Sequence, residues 1–131
     1  MAEPAVAAGT SVLVLADDLI WASRLADAVM AAGATPHRAR RAEDIATQPL
    51  AATSPNPTAP SRAIVDLTAR AYDGIAAIRT LRAAGLRVVA VGQHDDAALR
   101  TAALEAGAER VFTYRALFEG GAKLLGTWLG R

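Results

Sequence analysis

Residues 11–18 have the sequence SVLVLADD, in which an unbroken run of Val and Leu is followed by two aspartates. Near-continuous apolar runs, rather than alternating ones, are typical of parallel strands that are covered on both faces of a sheet. Similar runs recur along the chain. They lie at Ala63 to Val65, Leu86 to Val91 and Arg110 to Thr113. The pattern predicts a buried parallel sheet.

Helical stretches separate these runs. The first, at about Leu19 to Ala32, has apolar residues at helical spacing, and another begins near Gly74. Three Ala-rich segments end in a glycine, at Gly33, Gly85 and Gly107, where a helix takes a left-handed residue after its last turn. Because strands alternate with helices of this length, we expect right-handed crossover connections between parallel strands.

The second strand, at about Thr35 to Ala39, is the most polar and contains Pro36. Proline has no backbone N–H to donate, so it belongs on an edge strand or at the start of a strand. An edge position for the second strand fits the sheet order 2-1-3-4-5. We therefore predict an α/β fold of the flavodoxin-like type, a doubly wound five-stranded parallel sheet with helices on both faces.

The length of 131 residues is enough for one domain with a core that needs neither disulfides nor metal. We expect a flexible tail over residues 1–10 and a single domain over residues 11–131. The proline-rich segment from Thr47 to Ser61 has the composition of a surface loop between the second helix and the third strand.

Charge and composition argue against several classes of function. The 14 basic and 13 acidic residues give a net charge of +1, so nothing indicates nucleic acid or an anionic membrane as the partner. The absence of cysteine excludes disulfides and thiolate nucleophiles. The N-terminus lacks the features of a signal peptide, and each apolar run has about the length of a strand, so we expect a cytoplasmic protein.

Acidic residues follow the first and third strands. In an open parallel sheet, ligands bind beyond the C-terminal ends of the strands where the strand order reverses, here between strands 1 and 3. Asp17 and Asp18 leave the first strand, and Asp66 leaves the third. We expect Asp17 and Asp66 to share one crevice, whereas Asp18 is better placed to cap the first helix.

Four segments, in order, resemble the receiver domain of bacterial response regulators, the phosphorylated modules of two-component signal transduction. DLTARAYDG, residues 66–74, is similar to the receiver segment that runs from the phosphoacceptor aspartate to the next helix. VLVLADD, residues 12–18, resembles the first strand with its acidic pair. VVAVGQHDD, residues 88–96, and AGAERVFTYRALF, residues 106–118, resemble the fourth and fifth strands with the loops beside them.

This resemblance implies a degenerate phosphoacceptor pocket around Asp66. Working receivers bind Mg²⁺ with the phosphoacceptor and two acids after strand 1, and those two positions fall on Ala16 and Asp17 here. One acid is therefore missing, which leaves Asp17 and Asp66 as candidate metal ligands. Because Mg²⁺ is usually held by carboxylates and water in octahedral geometry, we expect at most weak Mg²⁺ binding and no other cofactor.

Two further departures from the receiver pattern concern the residues that contact the phosphoryl group. The hydroxyl residue that ends strand 4 is Gly92, and the lysine that ends strand 5 is Tyr114. Phosphoryl transfer depends on positive charge fixed where negative charge develops, so both losses weaken it. Arg70 replaces the proline after the phosphoacceptor, and it either pairs with Asp66 or lies solvated on its loop.

The resemblance thus implies a pseudo-receiver, a non-catalytic signalling or regulatory module that acts through protein–protein contacts without a phosphorylation switch. Two alternatives stay open: a working receiver that is phosphorylated on Asp66, and a flavodoxin-like protein that binds a small ligand. Against the small-ligand alternative, the loop after strand 1 carries carboxylates that would repel the phosphate group of a flavin. We find no catalytic set in the sequence and predict that the chain is not an enzyme.

The last helix is the expected partner surface. From Leu117 onward its apolar arc is wider than one packing contact needs, and its glycines require that it be held by packing. We predict a homodimer or a contact with a partner protein that involves Leu117 and is centred on Leu124 and Trp128.

Overall fold

The computed structural model describes residues 9–48, 50 and 58–130. Strands and helices alternate along this part of the chain. The strands are β1 (Ser11–Leu15), β2 (Thr35–Ala39), β3 (Arg62–Asp66), β4 (Arg87–Gly92) and β5 (Val111–Thr113). The helices are α1 (Leu19–Ala31), α2 (Ala42–Thr47), α3 (Gly74–Ala83), α4 (Ala97–Ala106) and α5 (Tyr114–Leu129).

The strands form one parallel sheet in the order β2-β1-β3-β4-β5, which confirms the predicted fold. Pro36 lies on β2 at the edge of the sheet, where its missing N–H removes no hydrogen bond from a central strand. In this order β2 is added on one side of β1, and β3, β4 and β5 are added on the other side, so the strand order reverses between β1 and β3. The C-terminal ends of those two strands therefore border a crevice, as the sequence predicted.

Helices cover both faces of the sheet. On one face, α1 and α5 pack on a cluster that includes Val12, Val14, Ile64 and Val89. On the other face, α2, α3 and α4 pack on a second cluster that contains the alternate residues of the same strands. Because strand side chains alternate between the two faces, a strand buried on both sides must be apolar throughout, which explains the continuous Val and Leu runs.

Local sequence signals set the helix ends. The side chain of Asp18 accepts a hydrogen bond from the backbone N–H of Trp21, and Asp73 accepts two at the start of α3. Gly33 and Gly85 follow α1 and α3 with φ angles of 93° and 90°, a region where a side chain would be strained. The interpretation of Asp18 as a helix cap is therefore confirmed.

Helix α5 lies close to α1 because small residues line the contact between them. A Cβ atom built on Gly121 would lie 3.2 Å from the Cβ of Ala28, and one on Gly126 would lie 3.9 Å from the Cβ of Ala32. Gly120 faces open space and has non-helical backbone angles (φ −153°, ψ 36°), so α5 is kinked there. Packing on α1 thus offsets the low helix propensity of these glycines.

The predicted partner surface on α5 is wrong for two of its three residues. Trp128 is 1% exposed and Leu117 is also buried, because both pack in the core cluster under α1 and α5. Leu124 is partly buried against the same cluster. The indole N–H of Trp128 donates to Glu109 Oε2 at 3.1 Å. This hydrogen bond satisfies the one polar group of the ring, which burial would otherwise leave without a partner.

Two sequence predictions fall partly outside the described residues. The predicted tail over residues 1–10 is described only at Gly9 and Thr10, and the predicted loop from Thr47 to Ser61 lacks residues 49 and 51–57. Within the residues that the structure describes, no helix has both the length and the apolar character needed to cross a membrane.

We expect substitutions at the α1–α5 contact to have opposite effects at two glycines. Gly121→Leu overfills the contact with Ala28 and should lower the free energy of unfolding by about 1–3 kcal/mol. Gly126→Ala meets only ordinary van der Waals contact and should raise it by roughly 0.5–1 kcal/mol through helix propensity. Urea unfolding followed by circular dichroism measures both, and equal effects at the two positions would contradict this packing.

We expect Glu109 to make stability depend on acidic pH. Two hydrogen bonds from the Arg87 guanidinium, at 3.0 and 2.9 Å, hold the pKa of this carboxyl below its ordinary value of 4.5. A carboxyl with a lowered pKa stabilises the fold above its unfolded pKa, and that contribution is lost as the pH falls through the folded pKa.

Glu109→Gln should therefore lower the urea midpoint at neutral pH, and its difference from the wild type should shrink as the pH falls below 4.5. Glu119→Gln is the matched control, because the ion pair of Glu119 with Arg115 is solvent-exposed and should contribute little. A pH-independent difference for Glu109→Gln would contradict the assignment.

Candidate functional site

A cleft of about 520 Å³ opens at the C-terminal edge of the sheet. Acidic, aromatic and amide side chains from the ends of β1, β3, β4 and β5 line it. These residues are Asp17, Asp18, Trp21, Asp66, Thr68, Arg70, Gln93 and Tyr114. The cleft thus contains both aspartates for which the sequence predicted a shared crevice.

Asp66 is the last residue of β3, and the residue as a whole is 1% exposed. Its Oδ1 accepts hydrogen bonds from the backbone N–H and the hydroxyl of Thr68, both at 3.0 Å, and from the Tyr114 hydroxyl. None of the hydrogen bonds among the described residues reaches Oδ2. A buried carboxylate needs such donors, and here uncharged groups supply them.

Tyr114 connects the fifth strand to this carboxylate. It directly follows β5 and begins α5, so its ring extends over the sheet edge toward Asp66. Its hydroxyl also contacts the hydroxyl of Thr68, and its ring packs on Trp21 with centroids 4.4 Å apart. Burial raises the pKa of Tyr114 above its ordinary value of 10.0, and its hydrogen bond to Asp66 raises the pKa further.

Asp17 holds the loop between β3 and α3. Its Oδ2 accepts the backbone N–H of Arg70 at 2.8 Å and that of Ala71 at 2.9 Å. The loop is thereby fixed against the end of β1, although more than 50 residues separate the two segments. One oxygen of Asp17 is thus engaged in a structural role.

Tyr72 is a site residue that sequence reasoning missed. Its buried hydroxyl lies 2.8 Å from the carbonyl oxygen of Leu15 and 2.7 Å from that of Asp66, so it can donate to the end of β1 or of β3. Burial raises the pKa of Tyr72, and the negative charge of Asp66 adds to the shift. Its position six residues after Asp66, as the one aromatic residue in segment 67–73, was the available signal.

Arg70 and Gly92 complete the set of predicted positions. The Arg70 side chain is exposed at the cleft and forms no ion pair with Asp66 in the described part of the chain. This decides between the two alternatives for Arg70 in favour of the solvated side chain. Gly92 ends β4 and is buried beside Leu67, whereas the next residue, Gln93, lines the cleft.

The site offers Mg²⁺, the ion that the receiver resemblance implies, fewer protein ligands than a working receiver does. Ala16 offers no side-chain oxygen, Oδ2 of Asp17 already accepts two backbone amides, and Oδ1 of Asp66 already accepts three donors. Among the described residues, no group of three or more His, Cys, Asp or Glu side chains is placed to hold a metal. Oδ1 of Asp17 and Oδ2 of Asp66 accept no hydrogen bond among the described residues, so these two oxygens would hold the ion and water would supply its other ligands.

The chain matches no protein-family model and no curated protein. It is similar in structure to the BeF3-activated receiver domain of DrrB, with a TM-score of 0.74 and 16% sequence identity over 93% of this chain and 98% of that one. A response regulator from Thermotoga maritima gives a TM-score of 0.72 at 14% identity, with the same two coverages.

NtrX from Brucella abortus is also similar, with a TM-score of 0.67 and 19% identity over 91% of this chain. The chain spans only 27% of the length of NtrX, so it corresponds to one part of that larger protein. At these identities the likeness concerns the fold rather than the activity. The chain has the fold of response-regulator receiver domains.

Proposed function

We propose that this domain is a receiver-like regulatory module that acts through protein–protein contacts and is not switched by phosphorylation of Asp66. One observation carries the proposal: the Tyr114 hydroxyl bonds Oδ1 of Asp66 from the position where the receiver resemblance expects a lysine. The side chain that would bring positive charge to a phosphorylated aspartate is replaced by a neutral hydroxyl.

The charge balance of the cleft supports the proposal. An acyl phosphate on Asp66 would add negative charge beside Asp17 and Asp18, which line the same cleft. Phosphoryl transfer needs cations fixed around the reacting oxygens. Arg70 is the only cationic side chain that lines the cleft among the described residues, and it is exposed to solvent, which screens its charge.

The fold supports the regulatory part of the proposal by analogy. The similar chains are described as response regulators or their receiver domains, and one from Burkholderia pseudomallei carries a phosphorylated aspartic acid with a calcium ion. In this chain the same fold lacks the metal-binding acid and the lysine. Its helices keep exposed apolar side chains, such as Leu19, Ile20 and Phe118, that are available for contact with a partner.

We expect no phosphorylation of Asp66 by acetyl phosphate in the presence of Mg²⁺, measured by intact-protein mass spectrometry. A combined variant, Ala16→Asp with Gly92→Thr and Tyr114→Lys, restores the missing groups and should gain one phosphoryl group. Adding Asp66→Asn to that variant should abolish the gain. The nearest atom to a Cβ at position 92 is Cδ1 of Leu67, at 3.3 Å, so this side chain must shift by a few tenths of an ångström to admit the substitution.

Stoichiometric phosphorylation of the wild type that disappears in Asp66→Asn would sink the proposal. That result would instead support the alternative that the chain is a working receiver phosphorylated on Asp66. Phosphorylation that persists in Asp66→Asn would instead place the modification at another residue and leave Asp66 as proposed.

We expect both tyrosines of the chain to resist ionisation in the folded state. The sequence contains two tyrosines, Tyr72 and Tyr114, and burial beside Asp66 raises the pKa of each above 10.0. A tyrosine with a raised pKa stabilises the fold below its unfolded pKa, and this contribution is lost as the pH rises above about 10.

The tyrosinate absorbance should therefore stay near zero at pH 10 and appear together with the loss of far-ultraviolet circular dichroism. Tyr72→Phe and Tyr114→Phe assign the signal to single residues. Half-ionisation near pH 10 with native circular dichroism would show that the Tyr114 hydroxyl is open to solvent rather than bound to Asp66.

A further inference from the structure

A second, smaller cavity adjoins the acidic cleft. It has a volume of about 190 Å³ and lies between α1 and α5. Trp21 lines both the cavity and the cleft, so its ring forms the wall between them. The Arg24 guanidinium lies 5.4 Å from the centre of the Trp21 ring and 4.8 Å from that of Phe118, which places it between the two rings.

Exposed apolar side chains surround this part of the surface. Phe118 lines the small cavity and is 67% exposed. Leu19 and Ile20, which follow the cleft residue Asp18 in the first turn of α1, are 63% and 65% exposed. Single exposed apolar residues are ordinary, but these three lie on α1 and α5, the two helices that contribute Trp21 and Tyr114 to the lining of the charged cleft.

The cleft itself selects for positive charge. Its lining carries three carboxylates, from Asp17, Asp18 and Asp66, and one guanidinium, from Arg70, which gives a formal charge of −2. Oδ1 of Asp66 is occupied, whereas Oδ2 has no donor among the described residues. Trp21 and Tyr114 add aromatic rings to the lining, which also attract cations.

A lysine or arginine side chain fits these features better than a metal ion does. It is a singly charged hydrogen-bond donor that needs only one or two acceptor oxygens, and its apolar stem can pack along the aromatic wall. The negative charge of the cleft would repel a phosphate group or a nucleic-acid backbone.

We infer that the cleft and the small cavity together form a docking site for a partner protein segment in which a basic residue is flanked by apolar residues. The basic side chain lies over Asp66 in the cleft, and an apolar neighbour packs on Phe118 and Trp21. The inference rests on the proposed function, because a phosphorylated or metal-bound Asp66 would not offer its oxygen to such a residue.

Titration of the ¹⁵N-labelled domain with the peptide acetyl-Leu-Lys-Leu-amide, followed by NMR, tests the inference. We expect saturable shifts of the Trp21 indole N–H and of the backbone amides of Arg70 and Ala71. The peptide acetyl-Leu-norleucine-Leu-amide, which keeps the four-carbon stem but lacks the terminal ammonium group, should bind at least about tenfold more weakly. Raising the salt concentration from about 0.01 M to about 0.3 M should weaken the lysine peptide only.

Single substitutions test the acidic cleft and the apolar cavity separately. Asp66→Asn should weaken the lysine peptide about tenfold, whereas Asp95→Asn, an equal charge change at an exposed residue outside the cleft, should not. Phe118→Ala should weaken both peptides, whereas Leu104→Ala, at an exposed leucine of α4, should not.

Equal binding of the two peptides by the wild type, or no saturable shift with either, overturns the inference without any variant. Saturable shifts with Mg²⁺ alone that compete with the lysine peptide would also overturn it, because the cleft would then be a metal site. Failure of this test leaves the proposed function standing if the wild type resists acetyl phosphate, so the two can fail separately.

Discussion

A carboxylate that is removed from water must be given hydrogen-bond donors, and the organisation of this sheet edge follows from how Asp66 obtains them. Thr68 supplies two donors from the loop after β3, and Tyr114 supplies one from the start of α5. The carboxylate therefore connects two strands that are not neighbours in the sheet. All three donors are uncharged and bind Oδ1, which leaves Oδ2 open to the cleft.

The two tyrosines bind different groups at this edge of the sheet: Tyr72 contacts backbone carbonyls, and Tyr114 contacts the carboxylate of Asp66. Tyr72 lies beneath Asp66 and bridges the backbone ends of β1 and β3, whereas Tyr114 lies across it and packs on Trp21. Together with the bonds from the Arg70 and Ala71 amides to Asp17, they fix the β3–α3 loop at both ends. These contacts tie the cleft lining to the ends of the strands, and such an arrangement limits the conformational entropy that is lost on binding.

The fold was predictable because its signals are local. The apolar run at Ser11 to Leu15 and the Pro36 strand at Thr35 to Ala39 mark β1 and β2 with the bounds that the structure shows. The prediction that Trp128 belongs to an exposed partner surface was wrong, and the reason is not local in the sequence. Its burial depends on Glu109, 19 residues earlier, whose carboxylate accepts the indole N–H and the Arg87 guanidinium at once.

The candidate site shows the same division. The positions of Asp17 and Asp66 follow from the ends of strands, which an apolar pattern reveals. The bonds of Tyr114 and Tyr72 cross 48 and 57 residues of chain, to Asp66 and Leu15 respectively, and depend on how loops pack after the sheet has formed. The receiver resemblance identified Tyr114 only as the residue that replaces a lysine, whereas the geometry shows that its hydroxyl donates to Asp66.

The kink at Gly120 has a consequence for how this surface works as a unit. It separates the first turns of α5, which carry Tyr114 and Phe118, from the remainder, which packs on α1 through Gly121. Tyr114, which donates to the buried carboxylate, and Phe118, which offers the exposed ring, thus lie one helical turn apart on the same side of the kink. A partner that packs on Phe118 therefore contacts the same turn of helix that holds Asp66.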